Sequence, residues 1–154
     1  MKEIASRDVP QANDLHTVCD LIALVNVGIE AKETLTAQLV LVSREIDYYK
    51  HAARILGFAQ FEPPDFQLTE SGRRYLGVLR SEQKRATLAS AVREAEVFRE
   101  LLKELQGREP TKENVSDFLM RRTSLNRTTA RRRADTIVAW LKQTSAWSIE
   151  DKSF

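Results

Sequence analysis

Residues 123–141 read TSLNRTTARRRADTIVAWL and predict an amphipathic helix with a strongly basic surface. Four apolar residues recur at steps of four, three and four, so they share one face of an α-helix that can pack on a core. They are Ala130, Ala134, Ile137 and Leu141. The polar residues that precede them and the arginines between them point elsewhere. The pattern is typical of a helix that contacts nucleic acid.

Positive charge is concentrated in the same part of the chain. Residues 119–143 contain seven Lys or Arg side chains and one acidic side chain, a local charge of +6. The whole chain carries +2, so the remainder sums to −4. Electrostatic attachment to phosphates requires such a concentration. The alternative is a solvated basic helix surface without a partner; we expect nucleic-acid contact.

The side chains of this segment suit DNA. Arginine offers a planar fork of donors for phosphate oxygens or for O6 and N7 of guanine. Hydroxyl and amide groups near a helix start can donate to phosphates, and the helix N-terminus itself favours anions. The predicted contacts here are Arg121, Arg122, Asn126, Arg127, Thr128, Thr129, Arg131, Arg132 and Arg133. Trp140 is predicted to pack in the core rather than to stack on a base.

The composition suits one folded domain or two small ones. The chain has 154 residues, of which 42% are hydrophobic and 30% charged, and only four prolines and five glycines, so long linkers are not expected. The single cysteine, Cys19, excludes an internal disulfide. No secretory signal pattern is present, and no apolar run approaches about 18 residues. We therefore expect a cytoplasmic protein without membrane contact.

Residues 13–78 predict a first module of helices and a hairpin. Apolar faces at helical spacing indicate three helices, over about 13–27, 31–41 and 43–56. Two short strands are then predicted on either side of the turn-forming residues 62–65, and Thr69 is predicted to cap a further helix. Three helices, a hairpin and a helix form the order of a winged helix-turn-helix. In that fold the third helix enters the major groove of DNA and the hairpin, or wing, lies against the backbone.

A long middle helix, or two abutting helices, is predicted over residues 79–106 and joins this module to a second one. Its apolar residues follow steps of four, three, three, four and three, which resembles a short heptad seam. They are Leu88, Val92, Ala95, Phe98, Leu102 and Leu105. This stripe could pack between the modules or across a homodimer. The small cores of two such modules favour burial within a monomer.

Residues 107–154 predict the second helix-turn-helix module. Thr111 is predicted to cap its first helix, and the arginine-rich helix follows after a short turn. Trp147 and Ile149 could begin a second wing, which would stay incomplete. The fold class expected for the chain is therefore mainly α, a tandem helix-turn-helix with at least one winged helix.

The first module contains weaker candidates for DNA contact. They are Arg44, Tyr48 and His51 on its third helix, and Arg73 and Arg74 after the hairpin. Glu45 and Asp47 lie on the same helix, where phosphates would approach. Their carboxylates could accept a hydrogen bond from cytosine N4, or they could indicate that this module binds protein. Both interpretations stay open.

No catalytic or metal-binding constellation is expected. His16, His51 and Cys19 offer at most two neighbouring ligands, fewer than a structural zinc ion needs. Residues 64–65 and 82–84 match the loose PD…(D/E)xK arrangement of metal-dependent nucleases. That active site belongs on a sheet, whereas residues 82–84 open a predicted helix. We expect a non-catalytic protein without a cofactor.

Motifs in both modules resemble one known arrangement. The first set comprises Arg44, Tyr48, Tyr49, Ala52, Ala53, Leu56, Gly57, Leu68, Thr69 and Gly72. The second set comprises Thr128 or Thr129, Arg131 to Arg133, Thr136, Trp140 and Leu141. In their order, from about residue 14 to 143, the chain resembles tandem winged-helix modules attached to bacterial restriction endonucleases and other defence-associated proteins.

This resemblance implies that the modules read double-stranded DNA while a separate domain cuts it. The chain has no room for a cutting domain, so a nuclease domain or subunit is an expected partner. Two other interpretations remain open. The chain could be a protein–protein interaction adaptor, or it could be a transcriptional regulator that dimerises.

Overall fold

The computed structural model describes residues 2–147, which form eight α-helices, one short 3-10 helix and a two-stranded antiparallel sheet. The helices are α1 (Leu15–Asn26), α2 (Lys32–Leu39), α3 (Ser43–Ile55), α4 (Glu70–Leu76), α5 (Ser81–Glu94), α6 (Glu96–Leu105), α7 (Lys112–Arg122) and α8 (Arg127–Thr144). The strands, between α3 and α4, are β1 (Ala59–Glu62) and β2 (Asp65–Leu68). The mainly helical fold with a small hairpin is confirmed. The suggested second wing lies largely outside the described residues.

The first half has the predicted order of three helices, a hairpin and a helix. In the hairpin Ala59 lies opposite Leu68, and Glu62 lies opposite Asp65 at the turn. The Thr69 hydroxyl accepts a hydrogen bond from the Gly72 amide at 3.1 Å, so the predicted cap of α4 is confirmed. One face of α3 is buried against α1, α2 and β1. This face carries Ile46, Tyr49, Ala52 and Ala53.

The N-terminal segment, residues 2–13, is part of the core. Ile4, Val9 and Ala12 are buried, and the Ile4 amide donates to the Arg122 carbonyl at 2.7 Å. Ser6–Asp8 form the short 3-10 helix. The first module predicted from the sequence begins at residue 13 and so leaves this segment out. Its apolar residues instead fill space between the two halves of the chain.

Of the two alternatives predicted for residues 79–106, the structure has the two abutting helices: the chain breaks at Ala95 between α5 and α6, and a single long helix does not form. Ala95 is extended, with φ −65° and ψ 139°, and Arg99 donates to the Glu94 carbonyl at 3.0 Å. Burial explains the break. In one straight helix Leu101, nine residues after Val92, would lie on the opposite side, yet both are fully buried. Only a change of direction brings both to the core.

Four residues of the predicted apolar stripe, Val92, Ala95, Phe98 and Leu105, are buried within the chain, whereas Leu88 and Leu102 are half-buried. Phe98 is fully buried and its ring stacks on that of Trp140, with centroids 5.4 Å apart and planes 3° apart. The Trp140 indole nitrogen donates to the Ala12 carbonyl at 2.7 Å. The core position predicted for Trp140 is therefore confirmed. One continuous core includes residues from the N-terminal segment, the first half, α5, α6 and α8.

Among the described helices, none combines the length and apolar character needed to cross a membrane.

Candidate nucleic-acid interface

The start of α8 is fixed by its cap and by its buried face. The side-chain oxygen of Asn126 accepts from the Thr129 amide at 2.9 Å, which satisfies one of the free amides of the first turn. The four apolar residues predicted to face inward are fully buried: Ala130, Ala134, Ile137 and Leu141. The helical phase expected from the sequence is confirmed. Residues on its other faces contact the N-terminal segment, α6 and α7, or are exposed to solvent.

Three arginines in the first half of α8 have no partner within residues 2–147. Arg127 and Arg132 are exposed and Arg131 is half-buried, and no ion pair or hydrogen bond holds their guanidinium groups. Thr128, also exposed, precedes Arg131 by three residues and Arg132 by four, so it lies beside them. The structure thus brings together a hydroxyl group and three free cations. We call Arg127, Thr128, Arg131 and Arg132 the α8 basic surface.

Arg122 does not belong to this surface, because it is buried. Only 6% of its side chain is exposed, and it donates to the carboxylates of Glu104 at 3.1 Å and Glu100 at 3.3 Å. It also donates to the Lys2 carbonyl at 3.3 Å. The prediction that Arg122 contacts DNA is therefore wrong. This arginine instead ties α7 to α6 and to the N-terminal segment.

Arg121 and Arg133 are engaged within the protein. Arg121 is exposed and pairs with Glu104 at 3.0 Å. Burial alone would raise the pKa of Glu104, but hydrogen bonds from Arg121 and Arg122 hold it below its ordinary value. Arg133 is half-buried and donates to the carbonyls of two residues in the N-terminal segment, Ser6 at 2.7 Å and Val9 at 3.1 Å. Its main visible role is to hold that segment on α8.

The predicted residues of α3 lie in three different settings. Arg44 is exposed and has no ion-pair or hydrogen-bond partner in the described part of the chain. Tyr48 is half-buried near Arg133. The proximity is felt in the pKa of Arg133: burial and the charge of Arg132 lower that pKa, and the Tyr48 phenol acts in the opposite direction. The His51 ring packs edge-on against Phe61 at 4.7 Å, and its Nδ1 accepts from Arg54 at 3.2 Å.

His51 should make the fold sensitive to acid. Burial lowers the pKa of its imidazole below the ordinary value, and Arg54 and Arg7 lower it further. The unfolded chain binds the proton near pH 6.5, but the folded chain binds it only at a lower pH. The stability that neutral His51 supports is therefore present above about pH 6.5 and is lost as the pH falls through the folded pKa. Urea unfolding at a series of pH values should show a smaller loss in His51→Gln. His16 is present in both the wild type and His51→Gln, so it contributes equally to both. An equal loss of stability on acidification in the two proteins would contradict the role given to His51.

The hairpin and α4 offer little free positive charge. Arg73 donates to the Leu68 carbonyl at 2.9 Å, and Arg74 pairs with Glu70 at 3.4 Å. The hairpin turn carries the exposed carboxylates of Glu62 and Asp65. Residues 13–78 contain six basic and nine acidic side chains, whereas residues 107–147 contain nine basic and four acidic ones. The two halves of the chain therefore differ in sign, and the positive half contains the α8 basic surface.

Two charged residues beside the α8 basic surface, Lys112 and Asp135, were not among the site residues predicted from the sequence. Lys112, the first residue of α7, pairs with Asp135 of α8 at 3.2 Å. Asp135 follows Arg132 by three residues and Arg131 by four, a helical spacing that places it next to both. That spacing was visible in the sequence. The position of Lys112 was not, because it depends on how α7 packs along α8.

The residues considered for metal or nuclease chemistry lie apart in the described structure. Burial raises the pKa of the Cys19 thiol, whose sulfur lies 3.2 Å from the Tyr75 hydroxyl oxygen. Lys84 lies over the Tyr75 ring, 4.9 Å from its centroid, whereas Asp65 is at the hairpin turn. Within residues 2–147, no three His, Cys, Asp or Glu side chains come close enough together to hold a metal ion.

Comparison with known proteins places the chain in a family. No curated protein and no solved structure matches it significantly. A family described as "Domain of unknown function (DUF7226)" matches residues 17–148, which include most of α1, the hairpin and helices α2 to α8. Because this match covers most of the chain, the protein belongs to the DUF7226 family.

Proposed function

We propose that the chain is a double-stranded DNA-binding module in which α8 is the recognition helix. The observation that carries the proposal is the α8 basic surface. It contains Arg127, Arg131 and Arg132, three guanidinium groups that no carboxylate neutralises within residues 2–147. Free arginines close to a helix N-terminus attract phosphates, and from that position they can also reach base edges in the major groove.

The order of elements supports a tandem helix-turn-helix arrangement. α1, α2, α3 and the β1–β2 hairpin follow the order of a winged helix, and α7, the turn 123–126 and α8 follow the order of a second unit. In such units the helix after the turn approaches DNA. The resemblance to modules of restriction and defence proteins agrees with this reading. We further propose that the chain itself is non-catalytic and that any DNA cleavage belongs to a separate domain or subunit.

A second candidate function is a protein-binding adaptor, and exposed apolar residues favour it. Val27, Val40 and Val42, in the connections on either side of α2, are 72%, 88% and 58% exposed. Val40 also adopts a left-handed φ of 56°, which a β-branched residue rarely adopts. The acidic charge of residues 13–78 disfavours contact with phosphates in this half. In this alternative the first half binds a protein, and the chain shows no affinity for DNA even at low salt.

Replacing Arg131 and Arg132 together by alanine should weaken binding to duplex DNA of mixed sequence. Each lost phosphate contact should make the slope of log K against log salt less negative by about one unit, so the slope of the double variant should be shallower by about two units. Affinity at low salt should fall by roughly tenfold or more. Fluorescence anisotropy of a labelled duplex over about 50 to 200 mM salt measures both quantities.

The matched control is Arg99→Ala with Lys103→Ala. Both side chains are exposed on α6, outside the α8 basic surface. Their substitution removes two positive charges, as many as the α8 double variant loses. The control should retain most of the affinity and of the salt slope. If it loses as much as the α8 variant, net charge rather than α8 governs binding. A folded α8 double variant with unchanged affinity would remove this helix from the interface.

A further inference from the structure

Asp135 is the single acidic residue of α8, and it lies beside the α8 basic surface. Its side chain is 55% exposed and pairs with Lys112, whose side chain is 40% exposed, at 3.2 Å. Although Arg131 and Arg132 are four and three residues away, neither forms an ion pair with this carboxylate. The carboxylate is therefore held toward α7 while the arginines stay free.

A carboxylate at this position works against non-specific attachment. When α8 lies against a sugar–phosphate backbone, Asp135 and the phosphates repel each other, whereas the arginines are attracted. In the major groove the same carboxylate can accept a hydrogen bond from an exocyclic amino group, N4 of cytosine or N6 of adenine. The edges of guanine and thymine present acceptors there instead. The Asp135 carboxylate therefore disfavours contact with the sugar–phosphate backbone and favours contact with bases that carry an amino group in the major groove.

We propose that Asp135 is a specificity-determining residue, which requires cytosine or adenine, rather than guanine or thymine, at one position on one strand of the bound duplex. This inference rests on the proposed function of α8 as a recognition helix. Lys112 is the positioning residue: by pairing with Asp135 from α7, it keeps the carboxylate from neutralising Arg131 or Arg132. The arginines then supply affinity, and Asp135 supplies discrimination.

The test is selection of bound duplexes from a random library, followed by sequencing, with wild type and Asp135→Ala. On the strand that Asp135 contacts, wild type should enrich cytosine or adenine over guanine and thymine at one position. Asp135→Ala should lose that enrichment by roughly fivefold or more, which is the lower end of the discrimination expected from one base contact. Its affinity for unselected duplex should rise, because a repulsive charge is gone. Thermal unfolding of both proteins verifies that the variant is folded.

Asp117→Ala is the matched control, since it removes one exposed carboxylate from the neighbouring α7. It should raise affinity for all sequences alike and leave the base preference unchanged. The proposal is overturned if Asp135→Ala keeps the wild-type preference, or if it raises affinity uniformly as Asp117→Ala does. If wild type binds no duplex at low salt, the proposed function fails and this inference fails with it. The two failures are thus distinguished by whether wild type binds.

Discussion

Replacing Trp140 by alanine should lower the free energy of unfolding by about 4 kcal/mol, near the middle of the range for a fully buried aromatic. The indole stacks on the Phe98 ring at 5.4 Å and donates to the Ala12 carbonyl at 2.7 Å. Its loss would open a cavity where α6, α8 and the N-terminal segment meet, and would leave a buried carbonyl without its donor. Urea unfolding followed by circular dichroism measures the change.

Two controls separate the ring from the hydrogen bond. Trp140→Phe keeps a ring beside Phe98 but loses the donor, so it should cost about 1–3 kcal/mol. Trp147 is only half-buried, so Trp147→Ala should cost less than Trp140→Ala. A loss in Trp140→Ala no larger than that in Trp147→Ala would contradict the packing described for α8.

Gly72→Ala should destabilise the first half by about 3 kcal/mol or more, because the added carbon has no room. A Cβ at this position would lie 2.1 Å from the Phe58 carbonyl oxygen, an atom of the backbone. That oxygen already accepts from the Thr69 amide at 3.0 Å. Relief of the clash requires α4 to move away from the backbone of Phe58, just before β1, which separates the stacked rings of Phe58 and Tyr75, now 4.8 Å apart. Thermal and urea unfolding measure the loss.

Gly77→Ala provides the matched control on the same helix. Gly77 has a φ of −81°, and the nearest atom to an added Cβ would be the Arg74 carbonyl oxygen at an ordinary 3.5 Å. Alanine there should be neutral or should stabilise by up to about 1 kcal/mol, since it restricts the unfolded chain. Comparable destabilisation by both substitutions would show that α4 tolerates no alanine in general, and would argue against the specific clash at Gly72.

Local pattern predicts the elements of this fold well, since each helix buries one face. The inward phase of α8, the core position of Trp140 and the cap at Thr69 are all readable from spacing and residue type. The position of the break between α5 and α6, at Ala95, is not. Residues 88–105 fit a heptad, so a straight helix satisfies the local pattern. Only the need to bury both Val92 and Leu101 against one core requires a change of direction.

Whether an arginine is free to bind DNA depends on contacts with residues distant in the sequence. Local sequence patterns do not show these contacts. Arg122 and Arg127 have the same chemistry, but Arg122 is buried because Glu100 and Glu104 of α6 lie next to it. Arg133 is engaged by an N-terminal segment more than a hundred residues away in sequence. Composition locates a basic region of the chain, and tertiary packing decides which of its members remain free.

The salt dependence of binding to duplex DNA decides whether α8 attaches to phosphates. If Arg127, Arg131 and Arg132 each neutralise one phosphate, log K against log salt should have a slope of about −2.7 or steeper. Fluorescence anisotropy with a duplex of mixed sequence, in low salt and then at increasing salt, gives that slope. Binding with such a slope is the predicted result. No binding at low salt, or binding whose affinity does not change with salt, would show that α8 is not a phosphate-binding recognition helix.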